Sequence, residues 1–287
     1  MTLMDGKKLS DLKKSQIKSQ VEELMKDKNA RRPKLSVVLV GNDPSSELYV
    51  RNKKKACEMV GIIGETINLS ATCSAKELTK VLTDLNNDSE VDGILLQLPL
   101  PSHLNEEDFI QMISPDKDVD GFHYINQGKL LQNLPTIYSC TPLGVVELLD
   151  YYKIDVVGKN VCMVGTSNIV GKPLGLMLLN RHASVDFCNR ETKNLKEHTI
   201  KADILISATG RKWLITEDMV KNGAVVIDIG TIKDPITHKL YGDVDFENVK
   251  KKASFITPVP GGVGPMTIAC LLENTLKLYL NHKNNCK

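Results

Sequence analysis

Apolar positions recur at near-helical spacing early in the chain, at Leu9, Leu12, Ile17, Val21 and Leu24, with Lys and Glu in the intervals. That periodicity predicts an amphipathic helix, broken before Pro33. Leu35–Val40 is a short apolar run rich in β-branched residues, as in a strand buried on both faces. A polar loop follows, in which Ser45 or Ser46 is placed to cap a helix over about Glu47–Val60, with Gly61 as its stop. The same unit then repeats. Glu65–Ser70 reads as a strand, Ser74-Ala-Lys-Glu77 is a capping-box pattern opening a helix to Leu85, and Asp92-Gly93 leads into a strand over Gly93–Gln97. Strand–helix–strand–helix–strand order predicts a parallel sheet, with functional residues at the carboxyl ends of its strands.

A second series starts near residue 140. Cys140-Thr-Pro-Leu-Gly144 is expected to open a helix, with Thr141 as N-cap and Pro142 in the first helical position. The strand Asn160–Val164 runs into Gly165-Thr-Ser-Asn-Ile-Val-Gly171 and a helix to about Arg181. Ser184–Cys188, Asp203–Ser207 and Val225–Ile229 read as further strands. Thr257–Thr267 (TPVPGGVGPMT) is too rich in Gly and Pro for helix or central strand. It is either a linker to a final helix over about Met266–Leu280, or a loop whose glycines let the backbone approach a flat ligand.

A length of 287 residues suits two domains. A net charge of +2 and an aromatic content of 5% argue against a nucleic-acid partner. The seven cysteines form no CxxC pair, which argues against a zinc cluster or a disulfide framework, so no metal is expected. No signal or transit pattern opens the chain and no apolar run reaches the ~18 residues of a bilayer span, so a cytoplasmic protein with no membrane partner is expected. The near-neutral total conceals an imbalance: the first 60 residues hold 14 Lys and Arg against 8 Asp and Glu. That local excess would suit an anionic ligand, with a solvated helix face as the plainer reading.

Tyr49 and Lys53 are four apart on an expected helix and share a face. A partly desolvated lysine beside a phenol can act as acid or base near neutrality. The competing reading is a solvated basic face, since Arg51, Lys54 and Lys55 are neighbours. Tyr-x-x-x-Lys also occurs in short-chain dehydrogenases, but there the pair follows the Gly-rich nucleotide loop, whereas here it precedes any such loop. Gln97 ends an apolar strand before Pro-x-Pro, so its amide satisfies loop backbone or meets a catalytic side chain. Pro115–Gly121 (PDKDVDG) carries Asp116, Asp118 and Asp120 without the later glutamate of an EF-hand loop. These acids form a turn, or one of them accepts paired N–H groups of a heterocycle. Gly165–Gly171 permits close approach of a phosphate to backbone and to a helix N-terminus. No acid ends the next strand to hold a ribose diol. Arg190 stands there instead and suits a 2′-phosphate, which favours NADP over NAD unless it is an ordinary surface arginine. His103, His123, His182, His198, His238 and His282 are scattered, with no triad pattern.

Six segments, in order, carry a resemblance: Tyr49–Ile62, Gly93–Pro101, Pro115–His123, Cys140–Gly144, Gly165–Pro173 and Thr257–Thr267. Together they resemble the bifunctional methylenetetrahydrofolate dehydrogenase/cyclohydrolase family. The resemblance implies oxidation of 5,10-methylenetetrahydrofolate with NADP, then hydrolysis of the methenyl cation to 10-formyltetrahydrofolate. It further implies a homodimer serving one-carbon metabolism and the purine, methionine and histidine biosynthesis that draws on it. Carried over by position, Lys53 is the general acid/base, Tyr49 holds the folate and shapes the site, Gln97 tunes Lys53, and Asp120 binds the pterin ring. Pro99, Pro258, Gly261, Gly262 and Val263 match substrate contacts, and Gly165, Thr166, Ser167, Ile169, Arg190 and Thr231 match nucleotide positions. The chain departs from common family patterns at Ser139, Thr166, Asn189 and Lys212.

The expected fold is α/β, with two α/β domains and a cleft between them. Residues 1–140 would form the folate-binding catalytic domain, with helix 266–287 packing back onto it. Residues 141–265 would form a Rossmann-like NADP-binding domain. At 287 residues, no fused formate ligase of the kind found in trifunctional relatives is expected. A short-chain-type dehydrogenase and a catalytically silent binding protein are the alternatives; motif order opposes the first, and Tyr49, Lys53, Gln97 and Asp120 together oppose the second.

Overall fold

In the computed structural model, which describes residues 1–235 and 237–285, the chain begins with β1 (Thr2–Leu3), α1 (Gly6–Leu24), β2 (Lys34–Val40), α2 (Pro44–Val60), β3 (Ile63–Leu69), α3 (Ala75–Asn87) and β4 (Gly93–Leu96). Two short helices, α4 (Glu106–Ile110) and α5 (Tyr124–Leu131), lead to α6 (Cys140–Tyr151). The second series is β5 (Asn160–Val164), α7 (Gly171–Leu179), β6 (Ser184–Cys188), α8 (Leu195–Thr199), β7 (Ile204–Ser207) and β8 (Val225–Asp228). A small ribbon of β9 (Ile232–Lys233) and β10 (Leu240–Tyr241), then α9 (Phe246–Val249), β11 (Phe255–Ile256) and α10 (Val263–Asn285), complete it.

The chain divides into two compact units. One comprises Asp11–Cys140 and the chain from Ile268. Its parallel sheet has the order β3-β2-β4. β2 is the central strand and is buried almost throughout, which explains its unbroken apolar run. Val38, Leu78, Leu82 and Ile94 lie in the core between this sheet and α3. The other unit comprises Met1–Ser10 and Thr141–Thr267. Its parallel sheet has the order β1-β11-β8-β7-β5-β6. Strand direction of travel across the sheet reverses at β5, the kind of switch point where nucleotides bind in open α/β sheets.

The first ten residues fold with the later unit, against the expected grouping of 1–140. Thr2 and Leu3 pair with Phe255 and Ile256. Met4 is fully buried, and the Asp5 amide donates to the Tyr152 hydroxyl at 2.7 Å. A two-residue strand is too short to show periodicity, so its partner is invisible in sequence.

Element ends follow local chemistry. Ser74 and Glu77 form the expected capping box, and Gly61 ends α2 at φ +81°, where a glycine meets no Cβ penalty. The cap of α2 is Asp43, not a serine: its carboxylate accepts the Ser46 N–H at 2.7 Å, and Pro44 opens the helix. The Ser45 side chain and Cys286 lie outside the described residues. Helix α6 starts at Cys140, so Thr141 is within its first turn, its hydroxyl 3.0 Å from that of Thr267. Helix α10 starts at Val263, inside the Gly/Pro loop. Pro265 is accommodated because first-turn residues need no N–H donor.

Candidate functional site

In the unit containing residues 11–140, Lys53 and Gln97 meet at the carboxyl ends of β2 and β4. α2 leaves the end of β2 and carries Tyr49 and Lys53 on successive turns of one face. The Gln97 amide donates to the Val38 carbonyl at 2.9 Å, tying the start of its loop to β2. The Gln97 side chain then has two partners. Its Nε2 donates to the Leu98 carbonyl at 2.7 Å and its Oε1 accepts from Lys53 Nζ at 2.9 Å. The Gln97 side chain thus meets loop backbone and Lys53 at once: the backbone contact orients the amide so that its carbonyl faces the lysine. Tyr49 is 48% exposed, and Pro99 is exposed nearby in sequence to Gln97.

The three carboxylates of Pro115–Gly121 have separate fates. Asp116 is exposed. Asp118 is a turn former: its Oδ2 accepts the His123 N–H at 2.8 Å and the Asn126 amide at 2.9 Å. Asp120 is near Lys53 and the Cys140 thiol. Desolvation pushes its carboxyl up to about 6, with the Lys53 charge opposing. A lysine, its amide partner and a desolvated carboxylate therefore stand together, a set able to move a proton and to accept N–H groups of a ring.

In the other unit, a groove of about 820 Å³ opens at the carboxyl ends of β5, β6 and β7. Gly165, Thr166, Ser167 and Arg190 line it, whereas Ile169 and Thr231 are not among its walls. Gly165 has φ +109°, and a Cβ there would stand 2.4 Å from the Ala208 carbonyl oxygen. Gly171 lets α7 pack on the loop, since its Cβ would meet the Gly165 carbonyl oxygen at 2.0 Å. The amides at the start of α7 are less open than the sequence implied: those of Val170 and Gly171 donate to Ser167 Oγ at 3.2 and 3.4 Å. The loop offers close backbone approach more than free helix-end donors. Pro258, Gly261, Gly262 and Val263 belong to this unit. Their loop is docked on the start of α1, where Lys7 N–H donates to the Gly261 carbonyl at 3.0 Å.

Thr209 and Arg211 also line the groove, and sequence reading missed them. The signal available was their place just after a strand of a parallel sheet. Their anchor is Asp243, fully buried. Its Oδ2 accepts from Ser207 Oγ, the Thr209 amide and Thr209 Oγ1 at 2.7, 2.6 and 2.9 Å, and its Oδ1 accepts the Arg211 amide at 2.9 Å. Asp228, at the end of β8, accepts amides from Gly230, Asp243 and Val244 at 2.9, 3.0 and 2.9 Å. Even so, burial pushes its carboxyl up to about 7. Asp186, Cys188 and His198 also approach within 4.8 Å of one another. Asp186 and His198 form a hydrogen bond of 2.6 Å, and burial pushes the Cys188 thiol up, so the group is a hydrogen-bonded pair beside a thiol held in its protonated form.

Comparison with known proteins covers both units. Residues 4–120 match the tetrahydrofolate dehydrogenase/cyclohydrolase catalytic domain, and residues 139–283 match the NAD(P)-binding domain of the same family. The chain is 55% identical over 287 residues to the bifunctional protein FolD of Mesoplasma florum, covering 100% of both. It is similar to the crystal structure of the bifunctional FolD methylenetetrahydrofolate dehydrogenase/cyclohydrolase of Campylobacter jejuni, with a TM-score of 0.96, 47% identity and coverage of 98% and 99%. The Trypanosoma brucei FolD structure, complexed with NADP cofactor and an inhibitor, matches with a TM-score of 0.94 and 33% identity, covering 98% of each chain.

Proposed function

The chain belongs to the tetrahydrofolate dehydrogenase/cyclohydrolase family, and from that premise we propose that it oxidises 5,10-methylenetetrahydrofolate with NADP and hydrolyses the resulting methenyl cation to 10-formyltetrahydrofolate. The observation that carries the reading is Lys53 Nζ donating to Gln97 Oε1 at 2.9 Å with the desolvated Asp120 beside it.

NADP, when bound, supplies the hydride acceptor. The groove of about 820 Å³ suits a dinucleotide, with Gly165 permitting backbone approach and Arg190 offering a cation at the end of β6. No further acid or base is required for the hydride step, because the folate nitrogen lone pair expels the hydride. Asp120 accepts ring N–H groups of the pterin, and Tyr49 shapes the site beside Lys53. By the family resemblance, Pro99, Pro258, Gly261, Gly262 and Val263 are further folate positions and Thr166, Ser167, Ile169 and Thr231 nucleotide positions; of the latter, Thr166 and Ser167 line the groove and Ile169 and Thr231 stand outside its walls. Hydrolysis needs a base for water and then an acid for the departing nitrogen. Lys53 alternates between those roles, and Gln97 fixes where its amine points.

Absorbance of the methenyl product tests the reading. Methylenetetrahydrofolate with NADP should give methenyl absorbance, and with NAD much less; equal use would remove the argument from Arg190. Lys53→Met should abolish decay of added methenyl cation, and normal decay in that variant would sink the assignment. The same reading makes the enzyme a cytoplasmic homodimer, which light scattering checks as twice the 31.8 kDa chain mass.

A further inference from the structure

We propose that Arg211, held in place by Asp243, is a second anchor for the 2′-phosphate of NADP and sets cofactor choice together with Arg190; the inference rests on the dehydrogenase reading above.

The argument starts from charge. A 2′-phosphate brings up to two negative charges, and one exposed arginine is a weak match for it. Arg190 is moreover engaged by its own neighbour: its Nε donates to Glu191 Oε1 at 3.0 Å, and Glu191 lines the same groove. A carboxylate there repels a phosphate unless another cation offsets it. Thr166 adds no charge. Lys212 is directed elsewhere, with Nζ 3.5 Å from the Tyr241 ring centroid, 4.6 Å from that of Trp213 and 3.9 Å from Asp234. Arg211 is the remaining cation among the groove's lining residues.

Its backbone is fixed more firmly than an exposed loop requires. Asp243 accepts the amides of both Thr209 and Arg211 and the Thr209 hydroxyl. The Leu214 amide closes the turn on the Arg211 carbonyl at 3.2 Å. Asp243 itself is fixed through its own amide, which donates to Asp228 at 3.0 Å. A buried carboxylate with four protein donors fixes the backbone of an exposed arginine that lines the groove, so the ordering cost of that turn is met on folding rather than on binding. The planar guanidinium also suits phosphate oxygens better than a lysine would.

Calorimetry with NADP, NAD and 2′,5′-ADP tests the proposal on the full-length wild-type chain and on Arg211→Gln and Arg211→Lys. Arg211→Gln should weaken NADP and 2′,5′-ADP tenfold or more while NAD affinity moves less than twofold; Arg211→Lys should recover part of the loss. Equal loss for NADP and NAD would overturn it, since that pattern belongs to stacking on adenine or to a disturbed groove. So would an unchanged NADP affinity. Asp243→Asn should follow Arg211→Gln in direction, and a variant that keeps full NADP preference would remove Asp243 from the account. Wild-type protein that binds neither dinucleotide would instead sink the dehydrogenase reading, an outcome distinct from any result on Arg211.

Discussion

Burial holds the Asp120 carboxyl up at about 6, while the nearby Lys53 charge pulls it down. Above that pH it is an anionic acceptor, and below it the proton removes both the charge and one acceptor site. We expect kcat/KM for methylenetetrahydrofolate to fall about tenfold per pH unit below ~6. Asp120→Asn should be slower throughout and lack that acid limb, which a pH–rate profile reads directly. The candidate residues Tyr49, Lys53, Gln97 and Asp120 could be picked out in the sequence because they stand in motifs. Partnership was less so. Nothing in the order of residues says that Gln97 faces Lys53 with its carbonyl; the Leu98 carbonyl decides it by accepting an N–H of the amide nitrogen.

Helix α2 carries Tyr49 and Lys53, so its ends matter. Asp43→Ala removes the cap of α2, the helix of Tyr49 and Lys53, and should cost about 1 kcal/mol in urea unfolding. This cap was missed because Asp-Pro-Ser-Ser offers several hydrogen-bonding side chains in a row, and only the backbone path shows which one reaches a free amide. At α7 the constraint is steric. Gly171→Ala would drive a Cβ against the Gly165 carbonyl. Displacing that loop should weaken NADP tenfold or more and cost roughly 1–3 kcal/mol of stability, measured by titration and by unfolding. The capping box at Ser74 and the stop at Gly61 were readable, since both depend on residues within one turn of each other.

Across the molecule, stability has a pH dependence set by raised carboxyls. Asp228 stands at about 7 against an ordinary 3.8, with Asp120 at about 6. The folded state binds these protons more tightly than the unfolded one, so the contribution is full below 3.8 and is lost as pH rises through about 6 and 7. The urea midpoint should therefore fall between pH 5 and pH 8, and Asp228→Asn should flatten the slope. The N-terminus gives a second test: Met4, wholly buried with β1 against β11, should cost ~2–5 kcal/mol as Met4→Ala. Hydrogen exchange should show the loss first in residues 141–267, with which Met1–Ser10 group. The sequence alone determined the two parallel α/β series, the family resemblance and most residue types at the candidate site. These are carried by periodicity and by motifs that lie within a few residues of one another. Tertiary structure decided the grouping of the first ten residues, the start of α10 and the Asp243 anchor beneath Thr209 and Arg211. The first and the last join chain segments tens to hundreds of residues apart through a strand pairing and a buried carboxylate, and such pairings leave no local pattern to read.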